Sequence, residues 1–168
     1  MSEKSTNAEI RVDVNYANDL ITDIFKAKSC NDHEARTIAQ RLSGSNLVGH
    51  DSHGIARVPR YVEWMERGWV FPNLKPEVVI DAGAMGCLDA KQGFGQVAGE
   101  YAVDDGITRA KKHGVSVVGL RNSGHLGRIG DWAERAADAG LISFHFVNVR
   151  GSLLVAPFGL LGIHGGSK

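Results

Sequence analysis

The run His50-Asp51-Ser52-His53-Gly54-Ile55-Ala56-Arg57-Val58-Pro59-Arg60-Tyr61 concentrates two histidines, an aspartate, a serine, two arginines and a tyrosine in one short stretch. Imidazole changes charge near neutral pH and can carry a proton. Guanidinium is a permanently charged fork that matches a carboxylate. His53 and Arg57 are four residues apart, so on a helix they share a face. Together they suit a substrate that bears a carboxylate and exchanges a proton. A solvated, capped helix start has the same residue types. Metal binding by His50, Asp51 and His53, with His125 or His145 added, is a weaker reading, because the spacing matches no zinc pattern.

Local signals say which element presents this run. Ile55, Val58, Val62 and Met65 follow a three-to-four spacing, which predicts an amphipathic helix after Gly54 with Ser52 or Asp51 as its cap. Pro59 argues that this helix starts later or is kinked. Upstream, Leu20, Ile21, Ile24 and Phe25 mark a helix over 16–27. Asn31-Asp32 reads as the cap of a second helix carrying Ala35, Ile38, Ala39 and Leu42. Residues 1–70 therefore read as a helical lobe.

From Gly68 the pattern changes. Val78–Ile80 and Cys87–Ala90 read as strands around the Ala82-Gly83 turn. A glycine loop, Gly93-Phe94-Gly95-Gln96, leads into a helix to Lys112 with Gly114 as its stop. Val115–Leu120 reads as a strand buried on both faces. A loop holding His125 follows, between Gly124 and Gly127. A helix over 129–139 comes next, with Trp132, Ala133, Ala136 and Ala137 inward, and Leu141–Val149 reads as a last strand. The alternation predicts an α/β region over 71–159 with a mixed or parallel sheet. Ligands on such sheets sit beyond the carboxyl ends of the strands, which is where His125, Asn148 and Arg150 fall. The loop Gly93-Phe94-Gly95-Gln96-Val97-Ala98 also fits a dinucleotide fingerprint. Its two readings are a tight turn and a true Rossmann NADP site, with Arg121 meeting a 2′-phosphate.

The totals set bounds. A chain of 168 residues with 43% hydrophobic content can bury a core. Lys+Arg and Asp+Glu are both 19, so there is no basic excess for nucleic acid. The start lacks a signal-peptide core and no apolar run is long enough for a bilayer. Two unclustered cysteines are best explained by a reducing cytoplasm.

The segments GHDSHGIARVPRYVEWMERG, GFGQ, HGVSVVGLRNSGHLGRIGDWAERAADAGLI and VAPFG resemble the malate/L-lactate dehydrogenase family. This is the group of ureidoglycolate and sulfolactate dehydrogenases and diketogulonate reductase. The resemblance implies an NAD- or NADP-dependent oxidoreductase of 2-hydroxy acids, 2-keto acids or related imines. It also implies a non-Rossmann cofactor fold, which makes the Gly93 loop structural, and a homodimer with its active site near the subunit interface. His53 and His125 match the two acid/base candidates. Arg57 matches the carboxylate-binding arginine, and Ser52 and Tyr61 complete the substrate side. Asn148 and Val149 match the strand end that touches the nicotinamide. Family chains are longer and continue past the Pro-Phe-Gly segment into a Thr-Asn-Pro motif. Residues 160–168 do not follow that pattern. The expectation is an amino-terminal portion of the family fold. Its alternative is an inactive remnant that keeps only a binding or dimer-interface role.

Overall fold

The structure is a computed structural model and describes residues 11–148. Helix α1 (Val14–Ala27) starts at Asp13, whose carboxylate accepts from the backbone N–H groups of Asn15 and Tyr16. Helix α2 (Asp32–Leu47) starts at Asn31, whose side chain accepts from Glu34 N–H. The caps satisfy donors that the first turn of a helix leaves open. Two short 3₁₀ turns, Asp51–His53 and Ile55–Arg57, lead into α3 (Val58–Glu66). Pro59 thus lies in the first turn of α3, where its missing N–H costs nothing. Neither Ser52 nor Asp51 caps this helix, contrary to the sequence reading. Both are spent within the preceding turns: Asp51 accepts from Asn46 Nδ2 at 2.6 Å, and Ser52 Oγ lies 3.0 Å from His53 Nδ1.

Strands β1 (Glu77–Ala82) and β2 (Met85–Asp89) form an antiparallel hairpin. Helix α4 (Gly95–His113) ends at Gly114 in the left-handed conformation, as its glycine predicts. Strand β3 (Val117–Arg121) then pairs parallel with β2, and α5 (Gly130–Asp138) follows. The sheet order is β1-β2-β3, mixed rather than parallel throughout.

Three expectations fail here. β3 is exposed and half-buried in alternation rather than buried on both faces, because the described residues leave one side of the sheet open. Val78, Ile80, Met85 and Val117 are exposed on these strands. Residues 141–148 form no strand, and Ile142, Phe144 and Phe146 are almost fully exposed, with no neighbouring strand among the described residues to pair them. On α5, Trp132 and Ala136 are buried, Ala133 is half-buried and Ala137 is exposed.

The core lies where α1, α2 and α3 meet the start of α4. Ile21, Phe25, Ile38, Leu42, Tyr61 and Phe94 pack there. Phe25 sets its edge against the Phe94 ring at 5.7 Å and tilts against Tyr61 at 6.4 Å. This aromatic cluster fixes α3 relative to α4, and with it the two stretches that bear His53 and His125. Among the described residues no helix is long and apolar enough to cross a membrane.

Candidate active site

The turn bearing His53 is fixed from α2. Asn46 Oδ1 accepts from Ile55 N–H at 2.8 Å, while Asn46 Nδ2 donates to Asp51. The Asn46 amide lies so close to Gly54 that a side chain at position 54 would overlap it. The glycine between His53 and Ile55 is therefore a matter of close approach.

The loop bearing His125 rests on the glycine loop before α4. Gly124 N–H donates to Gly93 O at 2.9 Å, and Gln92 N–H donates to Asn122 O at 2.6 Å. A Cβ at Gly95 would overlap the carbonyl oxygens of Gly124 and His125. This accounts for the apparent dinucleotide fingerprint. The glycines admit another stretch of backbone, and the space a pyrophosphate would need is filled by carbonyl oxygens. On the far side of the loop, Trp132 of α5 donates its indole N–H to Leu126 O at 3.2 Å.

These two supports bring the histidines together. The rings of His53 and His125 stack at 5.1 Å with 26° between their planes, and His50 lies against His53 at 4.5 Å. Both His53 and His125 are half-buried. Burial lowers the pKa of each, and the neighbouring imidazole and the Arg57 charge lower it further. His53 feels His50 and Arg57; His125 feels His53 and Arg57 and falls to about 4. Near neutral pH, then, two uncharged imidazoles face one another beside a guanidinium.

Arg57 sits one turn beyond His53, with its Nε donating to Ser52 O at 2.6 Å. That bond leaves the two terminal nitrogens of the fork without a partner among the described residues. Tyr61 is 1% exposed and lies beneath His125, its hydroxyl 2.8 Å from His125 Nδ1. Burial pushes this phenol up to about 12, so it stays protonated. Gln96, fully buried, donates to the Tyr61 hydroxyl at 2.6 Å. Trp64 tilts against His125 at 6.2 Å and stacks on Tyr61 at 5.4 Å, walling the site.

The site thus joins His53, His125, Ser52, Arg57 and Tyr61, and adds Asn46, Trp64 and Gln96, which the sequence reading gave no role. Gln96 stood in the GFGQ motif, but nothing in its spacing marked it as a partner of position 61. Asn148 is exposed and makes no described contact with the site, and Val149 lies outside the described residues. His145 is exposed, its Nε2 2.9 Å from Ser143 Oγ. Among the described residues no cluster of His, Cys, Asp or Glu could hold a metal ion.

A family profile described as malate/L-lactate dehydrogenase matches residues 12–162. Hydroxycarboxylate dehydrogenase B of Escherichia coli K12 is 43% identical over 148 residues, covering 88% of this chain and 41% of that protein. L-lactate dehydrogenase of Cupriavidus necator is 34% identical over 151 residues, 89% of this chain and 43% of that protein. Among solved structures, malate dehydrogenase from Pyrococcus horikoshii OT3 aligns with a TM-score of 0.75 at 31% identity, covering 78% of this chain and 38% of that one. Sulfolactate dehydrogenase from Methanocaldococcus jannaschii aligns with a TM-score of 0.74 at 31% identity, covering 77% and 38%. The chain spans 41% and 43% of the length of these two curated relatives. The five α-helices and mixed sheet of its described residues are part of the fold those structures share, and the chain belongs to the malate/L-lactate dehydrogenase family.

Proposed function

We propose that this chain supplies the substrate-binding and proton-transfer side of an NAD(P)-dependent oxidoreductase acting on a 2-hydroxy acid or its 2-keto acid. The observation that carries the reading is the stacked pair of uncharged imidazoles beside Arg57. The guanidinium fork holds the substrate carboxylate. One imidazole takes the hydroxyl proton in oxidation and returns it in reduction. Because burial and neighbouring charge keep both rings neutral near pH 7, the site is poised to accept a proton. Oxidation therefore proceeds at neutral pH, and reduction gains as pH falls toward the pKa of the acting ring.

A dinucleotide does not fit the Gly93 loop, where the carbonyl oxygens of Gly124 and His125 would repel a pyrophosphate. The exposed amide of Asn148, with donors and an acceptor, suits a nicotinamide carboxamide, and Val149 follows it in the chain. When bound, the nicotinamide accepts or returns the hydride. The protein is read as a cytoplasmic homodimer, and the open apolar face of the sheet supports a further surface packing there.

The test is a 2-keto acid panel with NADH and NADPH, run on the wild-type chain, His53→Gln and His125→Gln. Both variants are expected to lose turnover by roughly 100-fold or more, the scale of general acid–base catalysis. Normal turnover in both variants would sink the assignment. Fluorescence of Trp64, Trp69 and Trp132 on NADH or NADPH addition reads binding separately. No response from a folded sample favours a remnant without cofactor binding.

A further inference from the structure

We propose that Gln96 and Tyr61 are positioning residues that lock His125 in its Nε2–H form, so that His125 donates a hydrogen bond to the substrate oxygen while His53 carries the proton. The inference rests on the functional reading above for its substrate. Its structural core stands apart from it.

Which groups can reverse their hydrogen bonds decides the His125 tautomer. His125 Nδ1 has two neighbours, the Tyr61 hydroxyl at 2.8 Å and the backbone N–H of Gly127 at 3.2 Å. A hydroxyl can donate or accept, but a backbone N–H only donates. Gly127 therefore biases Nδ1 toward accepting, and the closer Tyr61 hydroxyl completes the lock. A proton on Nδ1 would point at another N–H. With Nδ1 an acceptor, the Tyr61 O–H must donate to it, and the Tyr61 oxygen is left to accept from Gln96 Nε2. The donors run one way, from Gln96 to Tyr61 to His125. Turning the Gln96 amide over would set two acceptors at either end of one hydroxyl. The single ring proton of neutral His125 then sits on Nε2, which has no partner among the described residues. Among the described residues, the charged and titratable groups facing this ring are His53, Arg57 and Tyr61, and none of them is an anion. Nothing in the set stabilises an imidazolium.

His53 is held differently. Its Nδ1 neighbour is the Ser52 hydroxyl at 3.0 Å, which can donate or accept. His53 can change protonation state without breaking that contact. In oxidation the substrate O–H proton would pass to His53 while a bound nicotinamide would take the C–H hydride, leaving the keto acid. His125 keeps its own proton throughout and polarises the same oxygen through Nε2–H. Reduction runs the same transfers backwards.

Histidine ring ¹⁵N–¹H correlation spectra of the wild-type chain, recorded without substrate, read the lock directly. His125→Gln and His53→Gln assign the signals. The expected result is His125 protonated at Nε2 and bare at Nδ1 at pH 7, and still so at pH 5, while His53 titrates. In Tyr61→Phe, a second set of His125 signals protonated at Nδ1 is expected to emerge. A wild-type His125 protonated at Nδ1 would overturn the proposal. So would a His125 that titrates in step with His53, or a tautomer ratio that Tyr61→Phe leaves unchanged. If Tyr61→Phe fails to fold, the wild-type spectrum still decides. A locked His125 in a chain without turnover would sink the functional reading and leave the lock intact.

Discussion

Substituting Gly95 by alanine separates the two meanings of the glycine loop. The added Cβ would overlap the carbonyl oxygens of Gly124 and His125, and both are backbone, so neither can swing aside. Ordinary contact returns only if the loop retreats by on the order of 1 Å. The 2.8 Å contact between Tyr61 and His125 is then stretched past hydrogen-bonding range. Overpacking costs about 1–3 kcal/mol, and losing the bond adds about 1 kcal/mol. For a chain of this size the melting temperature should fall by roughly 5–15 °C. Turnover should fall by about 100-fold, the usual consequence of a 1 Å misplacement in a reacting group.

Thermal melts followed by circular dichroism, together with His125 ring spectra, check this. The expected outcome is a lower melting temperature and a shifted His125 signal. An unchanged melt with an unchanged His125 environment would refute the packing argument. Loss of NADPH binding with His125 undisturbed would revive the phosphate-cradle reading.

Asn46→Ala should lower stability by about 1–2 kcal/mol in urea unfolding, since it frees Ile55 N–H and Asp51 together, and should broaden the His53 signal. Gly99→Ala places a Cβ 2.7 Å from Trp132 Cε2, so a loss of about 1–3 kcal/mol and a change in tryptophan emission are expected. Folding depresses His125 from near 6.5 to about 4, so below pH 6.5 the unfolded chain binds its proton first. Stability from this residue is full above pH 6.5 and declines as pH falls toward 4. His125→Gln should flatten that slope in pH-dependent melts, and an unaltered slope would contradict it. Arg57→Met should weaken substrate binding far more than Arg57→Lys, and equal KM values in the two variants would remove Arg57 from the carboxylate.

The helices were legible because their signals are local. A stripe in one helix and a capping side chain two or three residues away need no knowledge of the rest of the chain. The mixed sheet was only half legible. Hydrophobic runs give strands, but the direction of β1 against β2 depends on a turn, and the burial of β3 depends on what lies across the sheet. The run 141–148 carries the apolar residues of a strand and has no partner among the described residues, so the pattern over-predicted the element. At the site, the residue types that do chemistry stood out, while those that aim them did not. Gln96 bonds a tyrosine 35 positions away, and Asn46 reaches nine positions forward to Ile55 across a turn. Sequence spacing carries no trace of either pairing. Gly95 left two readings open for the same reason. A glycine marks a place where something comes close to the backbone, and only the fold says whether that is a ligand or, as here, the loop that presents His125.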